Sequence, residues 1–404
     1  MRRFAGCCRF TWNKALALEK ETYEQGGKRH GYNNLAGLLR DWKKAEDTAF
    51  LAEAHSQILQ QSLKDLERAY VNFFQKRAGY PRFKKRGEQD SFRYPQGFKL
   101  DEGNSRIFLP KIGWIRYRKS RDTEGVAKNV TVSLSAGKWY VSIQTERVVI
   151  DPVHPSQTGV GIDMGITHFA TLSDGTHVEA LNSFRKHEMK LARLQRKLSK
   201  KQKLSSNWQK QKRKLQKHHR KIANVRKDFL HKLSTTISKN HAMVVMEDLQ
   251  IKNMSRSASG TIEQPGRNVS AKRGLNKAIL DQGWFEFRRQ LTYKLAWRGG
   301  KLIAIPPQYT SQTCSHCGHI DKANRKTQAQ FICTACGFEA NADYSVAVDV
   351  RRLFESTDTG LTASPSGRNA ALNILAAGHA VTVGGVGKAQ APTMKQKPAY
   401  GATR

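Results

Sequence analysis

The sequence predicts a mixed α/β protein, in which helices and then antiparallel strands precede an α/β core that carries a four-cysteine metal site. Three observations predict this class. Apolar residues recur at spacings of three and four up to about residue 85, and they alternate between residues 91 and 149. Beyond residue 156, short apolar runs typical of buried strands are separated by long helical stretches. Two CxxC pairs follow, which favour a metal ribbon over a disulfide framework.

Composition indicates a polyanion as partner. Lys and Arg number 70 against 33 Asp and Glu, a net charge of +37 over 404 residues. A field of this sign most often attracts nucleic acid. A membrane surface is the alternative, but no apolar run approaches the roughly 18 residues of a spanning helix, and no secretory signal is expected at the start. Because six cysteines in this pattern suit a reducing compartment, the expected location is the cytoplasm, in association with the nucleoid.

Residues 1–87 are predicted to form a helical region. In SQILQQSLKDLERAYVNFFQKR, apolar residues such as Leu59, Leu63 and Leu66 fall along one helical face. The basic segment RAGYPRFKKR follows, and aromatic rings among cations suit base stacking combined with phosphate contact. A basic surface loop is the alternative. The candidate nucleic-acid contacts of this segment are Tyr80, Arg82, Lys84 and Lys85.

Residues 88–150 are predicted to form a small antiparallel sheet or barrel. Alternation is clear in 130–134 and in 139–143, and Ala136-Gly137 between them is typical of a hairpin turn. Basic residues occupy many polar positions, which favours packing against nucleic acid. Asp151 to Pro155 is typical of a linker.

The segment TGVGIDMGITHFATLSDG, residues 158–175, predicts two short strands joined by a tight turn. Asp163 interrupts the first apolar run. A carboxylate in a strand whose neighbours are buried costs several kcal/mol unless it is paired or holds a metal. Gly161 and Gly165 leave backbone room beside it for a bulky anion. The alternative is a solvated aspartate on an edge hairpin.

A strongly basic helical hairpin is predicted over 184–234, with a break near Ser205-Ser206. This stretch holds nineteen Lys and Arg against two acids. A charge run is most often a solvated face, but so one-sided a run favours nucleic-acid contact. The candidate contacts are Arg193, Arg196, Lys197, Arg213, Arg220 and Arg226.

Three further elements complete the predicted α/β core. The run HAMVVMEDL predicts a buried strand over 242–246, which ends at a second carboxylate, Glu247. A helix is predicted to begin at Asp281 as its N-cap, and KLIAIPP predicts a short strand after it.

Four cysteines form two CxxC pairs with fifteen residues between them. Two thiolates at this spacing reach one ion from a tight turn, and two such turns complete a tetrahedral zinc site. Four sulfur ligands leave no open position for a substrate, so one structural Zn²⁺ is predicted on Cys314, Cys317, Cys333 and Cys336. His316 and His319 are expected to be surface residues rather than ligands. The segment before the first pair holds three further candidate nucleic-acid contacts: Tyr309, Ser311 and Gln312.

A third carboxylate, Asp343, opens a helical pattern directly after the ribbon. Asp163, Glu247 and Asp343 are therefore three acids on one α/β core. Clustered carboxylates repel one another, and divalent cations relieve that repulsion. Two Mg²⁺ ions about 4 Å apart can activate a water and stabilise the leaving oxygen of a phosphodiester. The sequence thus predicts these three residues as the catalytic, metal-binding acids of a nuclease.

Taken together, these segments resemble the TnpB family, the OrfB proteins of insertion sequences, which are related to compact type V CRISPR nucleases. The matching pieces are FAGCCRFTWNKAL, GYPRFKK with SFRY, GIDMGITHFATLSDG, LHKLSTTISKN, VVMEDLQIKNM, GWFEFRRQLTYKLAWRGG and PPQYTSQTCSHCG with its second CxxC. The resemblance implies an RNase H-like (RuvC) nuclease core with an inserted zinc ribbon, preceded by a helical recognition lobe and a β-barrel wedge. It also implies a bound guide RNA (ωRNA), cleavage of double-stranded DNA beside a short target-adjacent motif, and one protein copy per ribonucleoprotein.

With the family as guide, domain limits follow. They are 1–87 for the recognition lobe, 88–150 for the wedge, 156–310 for the RuvC-like core, 311–340 for the zinc ribbon, 341–380 for the C-terminal part of the core with a duplicated or inserted helix, and 381–404 for a disordered tail. Asp163, Glu247 and Asp343 match the first, second and third RuvC acids.

Two departures from the family pattern set the alternative hypothesis. The family normally has a strand and some twenty residues before FAGCCRFTWNKAL. The last helical motif is present twice, as ADYSVAVDVRRL with Asp343 and as SGRNAALNILAAG, where Gly367 stands in place of the acid. If the second copy occupies the native position, the protein is a nuclease-impaired, RNA-guided DNA-binding protein, such as a repressor or the product of a decayed element. A DNA-strand transposase is a weaker hypothesis, because no HUH motif with a tyrosine nucleophile is present.

Overall fold

The computed structural model describes residues 1–340, apart from residues 89, 308, 310, 311, 315, 328 and 329. The predictions for Asp343, for the duplicated helix and for the tail lie outside these residues, as does that for Ser311. The described chain divides into two compact units, Met1–Val148 and a second unit that begins at Val149. Helices and strands occur in both, so the mixed α/β prediction is confirmed.

The first unit begins with helices, as the apolar spacing predicts. Their bounds are α1 Arg2–Glu24, α2 Gly31–Lys44, a 3₁₀ helix Glu46–Glu53 and α3 Ser56–Phe74. The predicted apolar face of α3 is buried, with Leu59, Leu63 and Leu66 fully inaccessible to solvent. The face packs on α1, where Cys7 and Cys8 are also buried.

Six antiparallel strands follow in the first unit: β1 Ser91–Tyr94, β2 Lys99–Asp101, β3 Arg106–Leu109, β4 Gly113–Arg116, β5 Val126–Ser135 and β6 Lys138–Glu146. Hydrogen bonds join them into two sheets, β1-β5-β6 and β2-β3-β4, rather than into one closed barrel within the described residues. Phe92 and Tyr94 of β1 insert into the same core as α1 and α3. Helices and strands of this unit therefore share one core instead of forming two.

The second unit is built on a five-stranded sheet. Its strands are β7 Gly159–Asp163, β8 His168–Leu172, β9 His177–Glu179, β10 Met243–Glu247 and β11 Lys301–Ile305. They lie in the order β11-β10-β7-β8-β9. β7, β8 and β9 are antiparallel neighbours, whereas β10 runs parallel to both β7 and β11. The hairpin predicted over 158–175 and the strand that ends at Glu247 are both confirmed.

Helices of the second unit connect and cover these strands. They are α4 Ser183–Ser199, α5 Ser206–Asn240, the short α6 Ile251–Met254, α7 Val269–Gln282 and α8 Trp284–Ala296. Apolar residues of α5 and α8 share a core with alternate residues of the sheet, among them Ile162 and Met246, which are fully buried. The predicted basic helical hairpin is confirmed, since α4 ends and α5 begins on either side of the Ser205 N-cap.

Asp281 does not have its predicted role as the N-cap of the next helix. It lies in the last turn of α7, and Gly283, with φ of 79°, separates α7 from α8. Its buried carboxylate instead caps α4, accepting hydrogen bonds from the Ser183 hydroxyl at 3.0 Å and the Phe184 N–H at 2.9 Å. The helix that Asp281 caps is about a hundred residues away, so no local sequence rule could identify it.

A small ribbon ends the described chain, with a 3₁₀ turn Lys322–Asn324 and the two-residue strands β12 Phe331–Ile332 and β13 Glu339–Ala340. Among the residues that the structure describes, no helix has both the length and the apolar character needed to cross a membrane.

Candidate active site and metal centre

Asp163 and Glu247 end two neighbouring parallel strands. β10 pairs with β7 so that Met246 lies opposite Ile162. The next residue on each strand is an acid, and both acids are partly exposed where the strand interiors are buried. Residues paired across adjacent strands project to the same face of the sheet, and adjacent strands lie about 4.8 Å apart. The two carboxylates therefore lie on one face, at the carboxyl ends of β7 and β10. This edge can hold a divalent cation between two oxygen ligands.

The chain beyond Glu247 is also fixed. The Asp248 N–H donates to the Ile305 carbonyl at 2.7 Å, and its carboxylate pairs with the Arg288 guanidinium of α8. Asp248 is therefore engaged elsewhere and does not supply a third acid. Within residues 1–340 as described, no third carboxylate joins Asp163 and Glu247 in a metal-sized cluster. The predicted third acid lies beyond that range.

Two polar residues that the sequence did not single out continue the line of the acids across the sheet. Asp163 pairs with Thr171 of β8, and Thr171 pairs with His177 of β9. The Thr171 Oγ1 and the His177 Nδ1 are 3.3 Å apart. The only sequence signal would have been the register of three strands, and a β-bulge between His168 and Ala170 obscures it.

The four predicted zinc ligands come together. Their sulfur atoms all lie within 4.8 Å of one another, with Cys314 Sγ 3.7 Å from Cys336 Sγ and Cys317 Sγ 3.6 Å from Cys333 Sγ. Tetrahedral sulfur ligands at about 2.3 Å from zinc would be roughly 3.8 Å apart, so the arrangement fits the ion. Zinc is thus the metal that these cysteines could bind, which agrees with the prediction.

Backbone N–H groups donate to the sulfur atoms of two of the four cysteines. The N–H groups of His316 and Cys336 donate to the sulfurs of Cys314 and Cys333, each at 3.4 Å. Burial opposes ionisation of the Cys333 thiol, but the N–H groups of Cys336 and Ala335 and the neighbouring thiols outweigh it and lower its pKa to about 6. At Cys314 burial prevails and raises the pKa to about 12. His316 stacks on Phe338 and is exposed, as predicted for a residue that is not a ligand.

A buried asparagine holds the two halves of the ribbon together. Asn324 is inaccessible to solvent, and its side-chain N–H₂ donates to the carbonyls of Gln312 and His319. Its side-chain oxygen accepts from the Thr334 N–H at 2.8 Å. Gln312, a predicted nucleic-acid contact, is thus partly engaged through its backbone. Tyr309 is 62% exposed.

On the basic hairpin, most of the predicted contact residues are available to solvent. Arg193, Arg196, Lys197 and Arg213 are exposed, whereas Arg220 is half-buried. Arg226 differs, because its guanidinium donates to the Leu280 carbonyl at 3.0 Å and lies 3.6 Å from the Asp281 carboxylate. Its contacts tie α5 to α7, which is a structural role that the sequence did not predict.

The basic segment after α3 divides similarly. Arg82 and Lys85 are exposed. Tyr80 is 45% exposed, and its hydroxyl lies 3.2 Å from that of Tyr70. Lys84 instead places its ammonium 3.8 Å from the centre of the Trp12 ring, and burial lowers the pKa of this lysine. The Lys84 side chain therefore makes its contacts within the first unit.

Three family models match the chain. The model described as "Probable transposase", OrfB of the IS605 type, matches residues 125–258. The model described as "Cas12f1-like, TNB domain" matches 284–350, and a "Helix-turn-helix domain" model of the same OrfB group matches 1–28. The first match contains Asp163 and Glu247, and the second contains all four cysteines.

Curated relatives are similar over most of the chain. "Putative RNA-guided DNA endonuclease InsQ" of Escherichia coli strain K12 is 58% identical over 398 residues, which is 98% of this chain and 93% of the relative. "Putative RNA-guided DNA endonuclease" of Streptomyces pristinaespiralis is 33% identical, over 87% of this chain and 84% of the relative. A CRISPR-associated endodeoxyribonuclease Cas12f1 of Sulfoacidibacillus thermotolerans is 39% identical over 32% of this chain and 27% of the relative.

Proposed function

The chain belongs to the TnpB (OrfB) family, and on that premise we propose that it is an RNA-guided DNA endonuclease of a transposable element. Its substrate is double-stranded DNA beside a short target-adjacent motif, and its reaction is phosphodiester hydrolysis. Base pairing with the guide RNA recognises the target sequence, while the protein binds the nucleic-acid backbone and recognises the short motif.

The strand order supports a RuvC-type, RNase H-like core. Three antiparallel strands, β7 to β9, form one side of the sheet. The chain then crosses through α4 and α5 to add β10 parallel to β7, and through α7 and α8 to add β11 parallel to β10. Ligands of such sheets bind at the carboxyl ends of the parallel strands, and that is where β7 and β10 end in acids.

The single observation that carries the proposal is the register of Met246 with Ile162, which brings Asp163 and Glu247 level at one edge. In the proposed site these carboxylates bind Mg²⁺, with Asp343 as the third ligand. When bound, two Mg²⁺ ions supply an activated water and charge stabilisation for the leaving oxygen. The protein's own contribution is to fix the carboxylates on two hydrogen-bonded strands.

Charge supports the nucleic-acid partners. The net charge of +37 includes the exposed arginines and lysines of the α4–α5 hairpin, which suit RNA and DNA phosphates. The four-cysteine ribbon, with its own buried asparagine, suits a structural zinc that stabilises a nucleic-acid-binding element.

The test begins with RNA that co-purifies with the protein, which is sequenced and then used to design a plasmid library with a matching target. Asp163→Asn and Glu247→Gln keep side-chain size but remove charge. Each is expected to lower the cleavage rate about 10³-fold, which corresponds to the several kcal/mol that a metal supplies to the transition state. Target binding, measured by gel shift, should remain within about 2-fold, because these substitutions leave the phosphate-binding residues in place.

A matched control is Asp174→Asn. Asp174 is also an acid of the β7–β9 region, but it lies in the turn after β8, away from the carboxyl end of β7, and accepts from the Thr176 N–H. It should cleave normally. Undiminished cleavage by Asp163→Asn and Glu247→Gln would contradict the proposal. Guided binding without any cleavage by the unaltered chain would instead support the nuclease-impaired alternative.

A further inference from the structure

The polar line that begins at Glu247 and Asp163 does not end at the acids. On the same face of the sheet, level with them, lie Thr171 on β8 and His177 on β9. The β8–β9 hairpin adds His168, whose ring centre is 5.0 Å from that of His177. It also adds Glu179, whose Oε1 lies 3.3 Å from the His168 Nδ1. Polar side chains therefore continue across four adjacent strands, β10, β7, β8 and β9.

Thr171 fixes the position of His177. Thr171 is 6% exposed, and its hydroxyl contacts the His177 Nδ1 at 3.3 Å. A buried hydroxyl seeks a hydrogen-bond partner, so this contact restrains the orientation of the imidazole. Since the contact uses Nδ1, a ligand would be met by the other ring nitrogen, Nε2, which is an N–H donor when Nδ1 accepts from the threonine.

The distance from the acids is short enough for one DNA strand to reach both places. Opposite residues on adjacent strands have Cβ atoms about 5 Å apart, so His177 lies roughly 10 Å from Asp163 across two strands. Successive phosphates of one strand are about 3.4 Å apart along the axis of a B-form duplex. A DNA strand that crosses β7, β8 and β9 with its scissile phosphate at Asp163 and Glu247 would therefore bring a phosphate, up to about three nucleotides away, over His177. His168, whose side chain is 37% exposed, lies next to His177.

The cluster is not a second metal site. Within the described part of the chain, the four cysteines are the one group of three or more potential ligands that meet closely enough to hold an ion. His168, His177 and Glu179 do not. An N–H donor beside a path for DNA, in a protein of charge +37, suits a phosphate oxygen instead.

We propose that His177, oriented by Thr171, is a substrate-positioning residue that donates a hydrogen bond to a backbone phosphate of the DNA strand being cut, up to three nucleotides from the scissile bond. This inference rests on the proposed endonuclease activity and adds a contact to the same site. Positioning contacts of this kind fix the reacting phosphate against the acids.

The experiment uses the full-length protein with its co-purifying guide RNA and single-turnover cleavage of DNA in which one phosphate at a time is a neutral methylphosphonate. One flanking position is expected to slow the unaltered protein about 10-fold, as loss of a hydrogen bond to a charged group would. His177→Ala should cleave ordinary DNA about 10-fold more slowly, and the same methylphosphonate should then cost less than about 2-fold. His177→Gln, which keeps an N–H donor, should be intermediate.

The matched control is His241→Ala. His241 also contacts a threonine, with its Nδ1 3.0 Å from the Thr158 hydroxyl, but this pair precedes β7 and β10 at the opposite end of the sheet. It should cleave both DNAs as the unaltered protein does. Thr171→Val, which keeps the shape of a β-branched residue, tests the orienting contact and should slow cleavage about 3-fold.

Three results would overturn the inference. The first is that His177→Ala cleaves ordinary DNA at the normal rate, and the second is that the unaltered protein tolerates every methylphosphonate. The third is that the methylphosphonate effect persists in full in His177→Ala. The last result would assign His177 a purely structural role. In each case cleavage itself, and its loss in Asp163→Asn, would leave the proposed function intact. An unaltered protein that does not cleave ordinary DNA would overturn the proposed function and this inference with it.

Discussion

The four-cysteine ribbon and the pair of acids are both candidate metal-ligand sets, but they are assembled differently. All four cysteines fall between residues 314 and 336, and each pair sits in its own tight turn. Asp163 and Glu247 are 84 residues apart and meet only because β10 pairs in parallel with β7 after the long α4–α5 hairpin. The first set is specified by local spacing and the second by the register of a sheet.

The difference predicts which substitutions each site should tolerate. Local turns shape the ribbon and a bound zinc would add metal–sulfur bonds to it, so it should survive changes in the sheet. The acids depend on packing of α5 and α8 against the strands, so they should respond to any loss in that core. Four substitutions test this contrast, in order of decreasing effect.

Cys333→Ser should abolish zinc binding and unfold the ribbon, because a structural zinc contributes on the order of 10 kcal/mol of local folding free energy. Metal analysis and limited proteolysis would detect the change. Thermal melting of the β7–β11 core should be unaltered. Cys7→Ala, which removes a buried thiol of α1, is the control and should keep one zinc. Full zinc content in Cys333→Ser would contradict the assignment.

Leu291→Ala should destabilise the sheet unit by about 2–5 kcal/mol, because Leu291 of α8 is fully buried in the core beneath the acids and its loss leaves a cavity. Chemical denaturation would measure the change. Cleavage should fall near the melting temperature while zinc content stays at one. Leu280→Ala, at a position 56% exposed on α7, should cost less than about 0.5 kcal/mol. Loss of zinc from Leu291→Ala would show that the two sites are not independent.

Asp281→Asn should cost about 1–3 kcal/mol, because one carboxylate accepts from the start of α4 and pairs with Arg226 of α5. The base of the basic hairpin should loosen, with faster hydrogen exchange at the first N–H groups of α4. Asp228→Asn, an exposed residue that pairs with Lys232, is the control and should cost about 0.5 kcal/mol or less. Unchanged exchange at Phe184 would refute the capping role.

Lys294→Met should change the pH dependence of stability. Burial, and then the nearby Arg298 charge, lower the pKa of Lys294 from 10.5 to about 8. Between pH 8 and 10.5 the unfolded chain therefore keeps a proton that the folded chain has released, so stability from this group rises with pH through that window. Methionine should abolish the rise and stabilise the protein by about 1 kcal/mol at pH 7.

Urea denaturation at pH 7, 8, 9 and 10 would measure this change, with Lys239→Met, at an exposed position of α5, as control. The hydroxyls of Ser234 and Thr235 that accept from Lys294 also donate to carbonyls of their own helix, so the substitution leaves them with partners. A rise in stability with pH that persists unchanged in Lys294→Met would assign it to another group.

The contrast also explains how far the sequence could predict the molecule. The cysteine cluster, the two strand-terminal acids and the helical hairpin follow from spacing and from apolar periodicity. Thr171 and His177 could not be predicted, because their place beside Asp163 depends on a register that includes a β-bulge. The sequence alone also placed Asp281 at the wrong helix, since its partners are at Ser183 and Phe184.

Charge patterns were the least informative about individual residues. Both Lys84 and Arg226 belong to runs that predict nucleic-acid contact. The first lies over the Trp12 ring, and the second donates to carbonyls at the end of α7. A run of cations establishes the sign of a surface, but the burial of a single side chain depends on which apolar groups happen to lie within reach of its stem.

The length of α5 makes the α4–α5 connection a suitable site for inserting other protein segments. This helix has 35 residues, and its contribution to the sheet core comes from its C-terminal half, where Leu230 and Ile237 are buried. The connection from α4, residues 200–205, is mostly exposed. Fusion partners or fluorescent reporters grafted into this connection lie outside β7 and β10, the strands that carry the acids. They should leave cleavage unaffected while changing what the enzyme carries to its target.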